Sequence, residues 1–174
     1  LQTAESGAVP GISTAGAAAA SEKGMQVFCR FRPFSADPGK ESLVVEYDGT
    51  GGGVTVQHPV SGSFVPCAFQ GVFPPQTMQR ELYTTVGKPV LDAACSGFNG
   101  AIICYGQTAS GKTHTMFGPP KLDKSSIHPD MTDSLHKGLI PRIMADLFQR
   151  VDSLPSGMRA TVKVSFVEIY MENV

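Results

Sequence analysis

Residues 106 to 113, GQTASGKT, carry the clearest chemistry in the sequence. They fit the pattern G-x-x-x-x-G-K-[ST] at each required position, and that pattern serves to hold a polyphosphate. A polyphosphate is a dense anion, best gripped by backbone N–H groups turned inward from a tight loop. Gly106 and Gly111 allow backbone angles and a closeness of approach that a Cβ would forbid. Gln107, Thr108, Ala109 and Ser110 complete the cradle between them. Lys112 reaches the β- and γ-phosphates of a nucleotide, and the Thr113 hydroxyl supplies a ligand for Mg2+. Phosphoryl transfer needs more: a second carboxylate on the metal side and a group that positions the attacking water. Neither is found. Glu168 is the nearest candidate, but it falls in mid-strand with no glycine switch after it. The chain therefore reads as a binding half-site, with no catalytic residue assigned.

A phosphate loop works between a buried strand and a helix. AIICY, 101–105, is a short continuous apolar run, as expected of a strand buried on both faces of a parallel sheet. A helix is expected from about Lys112, its positive dipole end toward the phosphates. Further upstream, MQVFCRFRP alternates, with Val27, Cys29 and Phe31 on one side and Phe28, Arg30 and Arg32 on the other. That is a strand, ended by Pro33. LVVEYDGTGGGVTVQHP predicts two short strands around a glycine turn, and SFVPCAFQGVF a further strand. Gly51, Gly52 and Gly53 are a hairpin turn rather than a second phosphate loop, because no helical pattern follows. Met78, Leu82 and Val86, then Val90 and Ala94, recur at spacings near four. They predict a helix kinked or broken before Pro89 and stopped at Gly97.

GPPKLDKSSIHPDMTDSLHK reads as a polar loop. Its Asp123, His128, Asp130, Asp133 and His136 are too irregularly spaced for a metal cluster. GLIPRIMADLFQRV sets Ile143, Leu147 and Val151 at helical spacing, with Ile140, Met144 and Phe148 on the flank. ATVKVSFVEIYMEN closes as a long strand. The order of elements predicts an α/β fold with a mostly parallel central sheet, flanking helices, and a sheet incomplete at the C-terminus.

The chain has 174 residues, 41% hydrophobic and 17% charged, which is room for one domain with a real core. A net charge of -1 gives no case for nucleic acid or an anionic membrane as partner. No apolar run approaches the ~18 residues of a membrane span. Cys29, Cys67, Cys95 and Cys104 show no C-x-x-C spacing and read as reduced core thiols of a cytosolic protein. Residues 1–24 are mostly Ala, Gly, Ser and Thr without apolar period, and read as a disordered tail. They lack the basic and leucine-rich regions of a signal peptide.

ICYGQTASGKTHTM resembles, almost residue for residue, the phosphate loop of kinesin motor domains. Other blocks agree in order: CRFRP (29–33), FQGVF (69–73), GFNGAIICYG (97–106), GLIPRIMADLF (138–148) and VKVSFVEIYMEN (162–173). Together they cover about residues 25–174. The resemblance implies a phosphate-loop NTPase fold that binds ATP with Mg2+, and hydrolysis stimulated by microtubules. It places the protein on the microtubule cytoskeleton of the cytoplasm, with tubulin as partner. It also implies adenine contacts from Arg30, Arg32, Pro33 and His114. The residues alone leave those roles open. Two arginines two apart on a strand share a face and could flank a flat base, or could be ordinary surface cations. His114 could equally be a satisfied helix residue.

Ala109 stands where kinesins often carry Gly or Ser, and a small side chain should be tolerated there. The loop from about Gly118 to Lys137 resembles in length the extended loop of some spindle kinesins. The family's switch blocks, main tubulin-binding elements and neck linker are not found, so the chain reads as an N-terminal fragment of such a motor. Two other readings stay open: a different phosphate-loop ATPase, and a non-hydrolysing kinesin-like scaffold that binds nucleotide or tubulin.

Overall fold

Alternating and glycine-punctuated sequence gives, among the described residues of the computed structural model, five short strands: β1 (Phe28–Arg30), β2 (Val45–Tyr47), β3 (Gly53–Gln57), β4 (Phe64–Ala68) and β5 (Gly71–Phe73). The described residues are 24–33, 45–47, 52–57, 61–119 and 135–169. Residues 1–23 of the expected 1–24 tail, and the acidic and histidine positions Asp123, His128, Asp130 and Asp133, lie outside them.

Strands β2, β3 and β4 form an antiparallel meander, with Glu46 opposite Thr55 and Val54 opposite Cys67. Pro66 is tolerated in β4 because that strand lies at the edge, where a missing N–H breaks no ladder. The single strand expected over SFVPCAFQGVF is instead two. The chain leaves the meander at Phe69 and Gln70, whose N–H donates to the Val27 carbonyl at 2.9 Å. It then pairs β5 in parallel with β1, Cys29 opposite Val72.

The predicted broken helix is present in three parts: α1 (Gln79–Leu82), a π-helical turn (Tyr83–Gly87) and α2 (Lys88–Cys95). Pro89 has no N–H to give to a carbonyl four residues back. The Lys88 N–H instead reaches five back, to the Tyr83 carbonyl, and the helix widens there. Gly97 ends it as expected, with φ +92°, while the Phe98 and Gly97 N–H groups close onto the Ala93 and Ala94 carbonyls at 3.0 Å. The remaining helices are α3 (Lys112–Met116) and α4 (Leu139–Asp152).

Phe73, Leu82 and Leu139 make the buried centre, with Phe28, Tyr83, Val86, Ile102, Met116 and Ile143 packed around it. A polar clamp binds the π turn and α2 to α4. Tyr83 donates its hydroxyl to Asp146, Arg150 Nε meets Asp146 at 3.1 Å, and Asp92 accepts from both Arg150 and Lys88. Burial and the Asp146 carboxylate together push the Tyr83 hydroxyl well above its ordinary pKa. The Tyr83 and Arg150 hydrogen bonds hold the Asp146 carboxyl below its own. A carboxyl with a lowered folded pKa adds stability above its unfolded value, about 4, and loses it as pH falls through the folded one. Tyr83→Phe should therefore cost about 1 kcal/mol at pH 7 and less at pH 3, read by urea unfolding at both values. An equal loss at the two pH values would refute the clamp.

Two predicted strands are absent among the described residues. Residues 101–105 are extended with Ile102 and Cys104 turned inward, yet they join no ladder among the described residues, and Ile103 and Tyr105 are 86% and 100% exposed. Residues 159–169 likewise form no strand, and Phe166, Val167 and Ile169 are open to solvent. Strand-type sequence becomes a strand only beside a neighbour that takes its N–H and C=O groups. The expected mostly parallel central sheet is thus present, among the described residues, only as the β1–β5 pair. An apolar cavity of about 490 Å³ beside Ile102, lined by Leu91, Ile143 and Leu147, marks the same incomplete packing. The four cysteines are free and half-buried. No helix among the described residues is long and apolar enough to cross a membrane.

Candidate nucleotide site

From Cys104 the chain runs into a tight turn at Gly106. Gly106 sits at φ +159°, and a Cβ there would lie 2.6 Å from the Ser110 hydroxyl and force that side chain aside, which favours glycine at the turn. The Ser110 N–H returns to the Gln107 carbonyl at 3.2 Å, and Gly111, at φ +103°, swings the chain into α3. Lys112 folds back across the loop, its ammonium donating to the Gly106 and Gln107 carbonyls at 2.8 Å each. An ammonium has three donors, so one remains for an anion. Among the described residues the N–H groups of Gly111, Lys112 and Thr113 meet no backbone acceptor. They are orphan donors of a first helical turn. Thr113 is exposed at the loop's rim. This donor set suits a polyphosphate. The expected helix dipole contributes little, because α3 is only five residues long.

The predicted base contacts come together around the loop, though not as simple flanking side chains. Arg32 Nη1 donates to the Ala109 carbonyl at 2.5 Å, so its guanidinium braces the phosphate loop. Ala109 has φ +64°, a left-handed conformation that strains an L-residue by about 1–2 kcal/mol. The tolerance expected of a small side chain thus carries a cost, which the Arg32 bond helps to offset. Arg30 turns inward, with Nη1 on Gln79 Oε1 at 3.1 Å and on the Thr115 hydroxyl at 3.0 Å. Pro33 is exposed beyond the end of β1. His114 lies against Gln79, and its pKa is pushed below the ordinary value, first by burial and then by Arg30, His136 and Arg32. The loop, both arginines, Pro33 and His114 border one open trough of about 2290 Å³.

Gln79 was not foreseen. The sequence pattern put Met78 on the buried stripe, but Met78 is 54% exposed and Gln79 only 4%. The readable signal was the spacing Gln79, Leu82, Val86, at i, i+3 and i+7, which runs one polar residue into the apolar face.

The family model described as the kinesin motor domain matches residues 30–174. The chain belongs to the kinesin family. Kinesin heavy chains are similar to it along most of its length. That of Syncephalastrum racemosum is 35% identical over 157 residues, 88% of this chain and 15% of the fungal protein. The kinesin heavy chain of Drosophila melanogaster is 32% identical over 156 residues, and human kinesin heavy chain isoform 5C is 35% identical over 156. Each alignment covers 88% of this chain and 14% of the relative. Kinesins are a family of microtubule motors, and their motor domain is an α/β fold of the phosphate-loop NTPase class. The match begins at Arg30 and so includes the phosphate loop and every candidate base contact.

Proposed function

We propose that this kinesin chain is the nucleotide-binding part of a microtubule motor that hydrolyses ATP. In this reading Gly106 to Lys112 hold the triphosphate through main-chain N–H groups and the Lys112 ammonium. The Thr113 hydroxyl would hold Mg2+, which when bound neutralises charge between the β- and γ-phosphates. Arg30, Arg32, Pro33 and His114 are assigned to the adenine side, Arg32 also bracing the loop, Arg30 held inward by Gln79 and Thr115, and His114 contributing an edge of its imidazole. The observation that carries the reading is the glycine turn closed under Lys112 and opening into orphan amides. Microtubules are the proposed partner, and the microtubule cytoskeleton of the cytoplasm the proposed location.

The test is ATP turnover by the protein with and without microtubules, beside titration of a fluorescent ATP analogue in Mg2+. Saturable binding and microtubule-stimulated hydrolysis are expected of the complete motor. A rate indifferent to microtubules would point to another phosphate-loop ATPase. Binding with no turnover in the complete protein would point to a scaffold.

A further inference from the structure

Gln79 is polar and almost wholly buried, and nothing in phosphate binding accounts for it. Its amide is held between groups from two other parts of the fold. Oε1 accepts from Arg30 Nη1 at 3.1 Å, at the end of β1. Nε2 donates to the His114 carbonyl on α3 at 2.6 Å and lies 3.2 Å from His114 Nδ1. The two ends of the amide cannot be exchanged. A guanidinium only donates and a carbonyl only accepts. A flipped amide would set NH2 against guanidinium and oxygen against oxygen, losing both bonds and adding two repulsions. The hydrogen-bond chemistry therefore fixes the orientation. With Nε2 as donor, the ring nitrogen facing it must accept, and the single proton of a neutral imidazole must sit on its Nε2.

We propose that Gln79 is a positioning residue that locks His114 in the neutral, Nε2-protonated tautomer, so that its ring offers the nucleotide base an uncharged hydrogen-bond donor. The proposal rests on the reading of His114 as a base contact. Purine rings present unprotonated nitrogens, N7 among them, that accept such a bond. The groups facing the imidazole agree with the assignment. Arg30 and Arg32 approach from the end of β1 and His136 from the segment before α4, and each disfavours a further positive charge. Protonation at Nδ1 would moreover point an N–H at the Gln79 NH2. Gln79 thus joins β1, α1 and the helix that leaves the phosphate loop, and in this reading it sets the protonation of the imidazole proposed to meet the base.

Ring-nitrogen 15N NMR of His114 in the nucleotide-free protein tests the lock directly. A protonated Nε2 and an unprotonated Nδ1 are expected at pH 7, persisting below pH 6.5. Gln79→Met should give a mixture of tautomers. Gln79→Glu, whose carboxylate accepts from Nδ1–H, should give imidazolium. An Nδ1–H tautomer or an imidazolium in the unaltered protein at pH 7 would overturn the proposal without recourse to any variant, as would an unchanged spectrum in Gln79→Met.

Titration with a fluorescent ATP analogue then reads the role of the ring. Affinity should be flat between pH 6 and 8 in the parent protein. It should fall about 3–10-fold in Gln79→Met and become pH-dependent in Gln79→Glu. If the NMR result holds while Gln79→Met and His114→Ala both bind as the parent does, the base-contact reading fails, and the proposed purpose of the lock fails with it.

Discussion

Lys112→Ala is expected to weaken ATP binding at least about 100-fold. The Lys112 ammonium is set across the glycine turn, donating to the Gly106 and Gln107 carbonyls. A charge-assisted hydrogen bond contributes about 1.5–3 kcal/mol, more than a neutral one. Losing contacts to two phosphate groups removes about 3 kcal/mol or more, which is a factor of at least about 100. Alanine also frees both carbonyls, so the loop that must present the amides loses its internal tie. Lys112 lies outside the buried centre of Phe73, Leu82 and Leu139, so the fold should survive. Titration of a fluorescent ATP analogue, with circular dichroism to confirm folding, checks the effect. Unchanged affinity would remove the site assignment.

The second large effect is on stability. Gly138→Ala should cost about 3 kcal/mol and lower Tm by about 6–12 °C. A Cβ at Gly138 would lie 2.5 Å from the Met116 carbonyl carbon and 2.6 Å from both the Met116 oxygen and the Phe117 carbonyl carbon. All three are main-chain atoms, so no rotamer change relieves the overlap. The facing strand of chain is equally bare, since a Cβ on Gly118 would meet the His136 carbonyl at 2.6 Å. The two segments cross in direct backbone contact, tied by the Gly138 N–H to the Phe117 carbonyl at 3.0 Å. Any shift drags Leu139, 1% exposed, away from Met116 and the core. Thermal unfolding followed by circular dichroism reads the change; a Tm within about 1 °C of the parent would contradict the crossing.

Local signals were legible in the sequence where the physics is local. The glycine hairpin of β2 and β3, the helix break before Pro89, the stop at Gly97 and the 14-residue α4 each follow from backbone chemistry within a few residues. The turn of the candidate phosphate loop was legible for the same reason, because its glycines and lysine answer to geometry inside the motif. What depends on distant partners was not. AIICY has the composition of a doubly buried strand, yet no described strand pairs with it, and Tyr105 stands fully exposed. Arg30 and Arg32 were read by strand alternation as a matched pair. Their partners are 49 and 77 residues away, and those partners separate them into an inward bond to Gln79 and a brace on Ala109. In the broken helix Leu82 is buried as expected, while at either end the buried position is one residue on, Gln79 in place of Met78 and Leu91 in place of Val90. Periodicity alone cannot reveal a widened turn.

That widened turn sets an angular constraint on the core. An α-helix advances about 100° per residue, so nine steps from Leu82 to Leu91 would leave the two side chains about 180° apart. Absorbing one residue in the π turn reduces the separation to about 80°, close enough for both to be buried, at 4% and 5% exposure, on one side. The number of residues between these leucines is therefore as fixed as their identity. A one-residue deletion at Thr84 or Thr85 that restored ideal helical winding would keep Leu91 where it is, whereas the same deletion with the wide turn retained would rotate it by about 100°, to about 20° on the other side of Leu82. Natural variation in length along this helix should accordingly appear only together with loss or gain of the bulge.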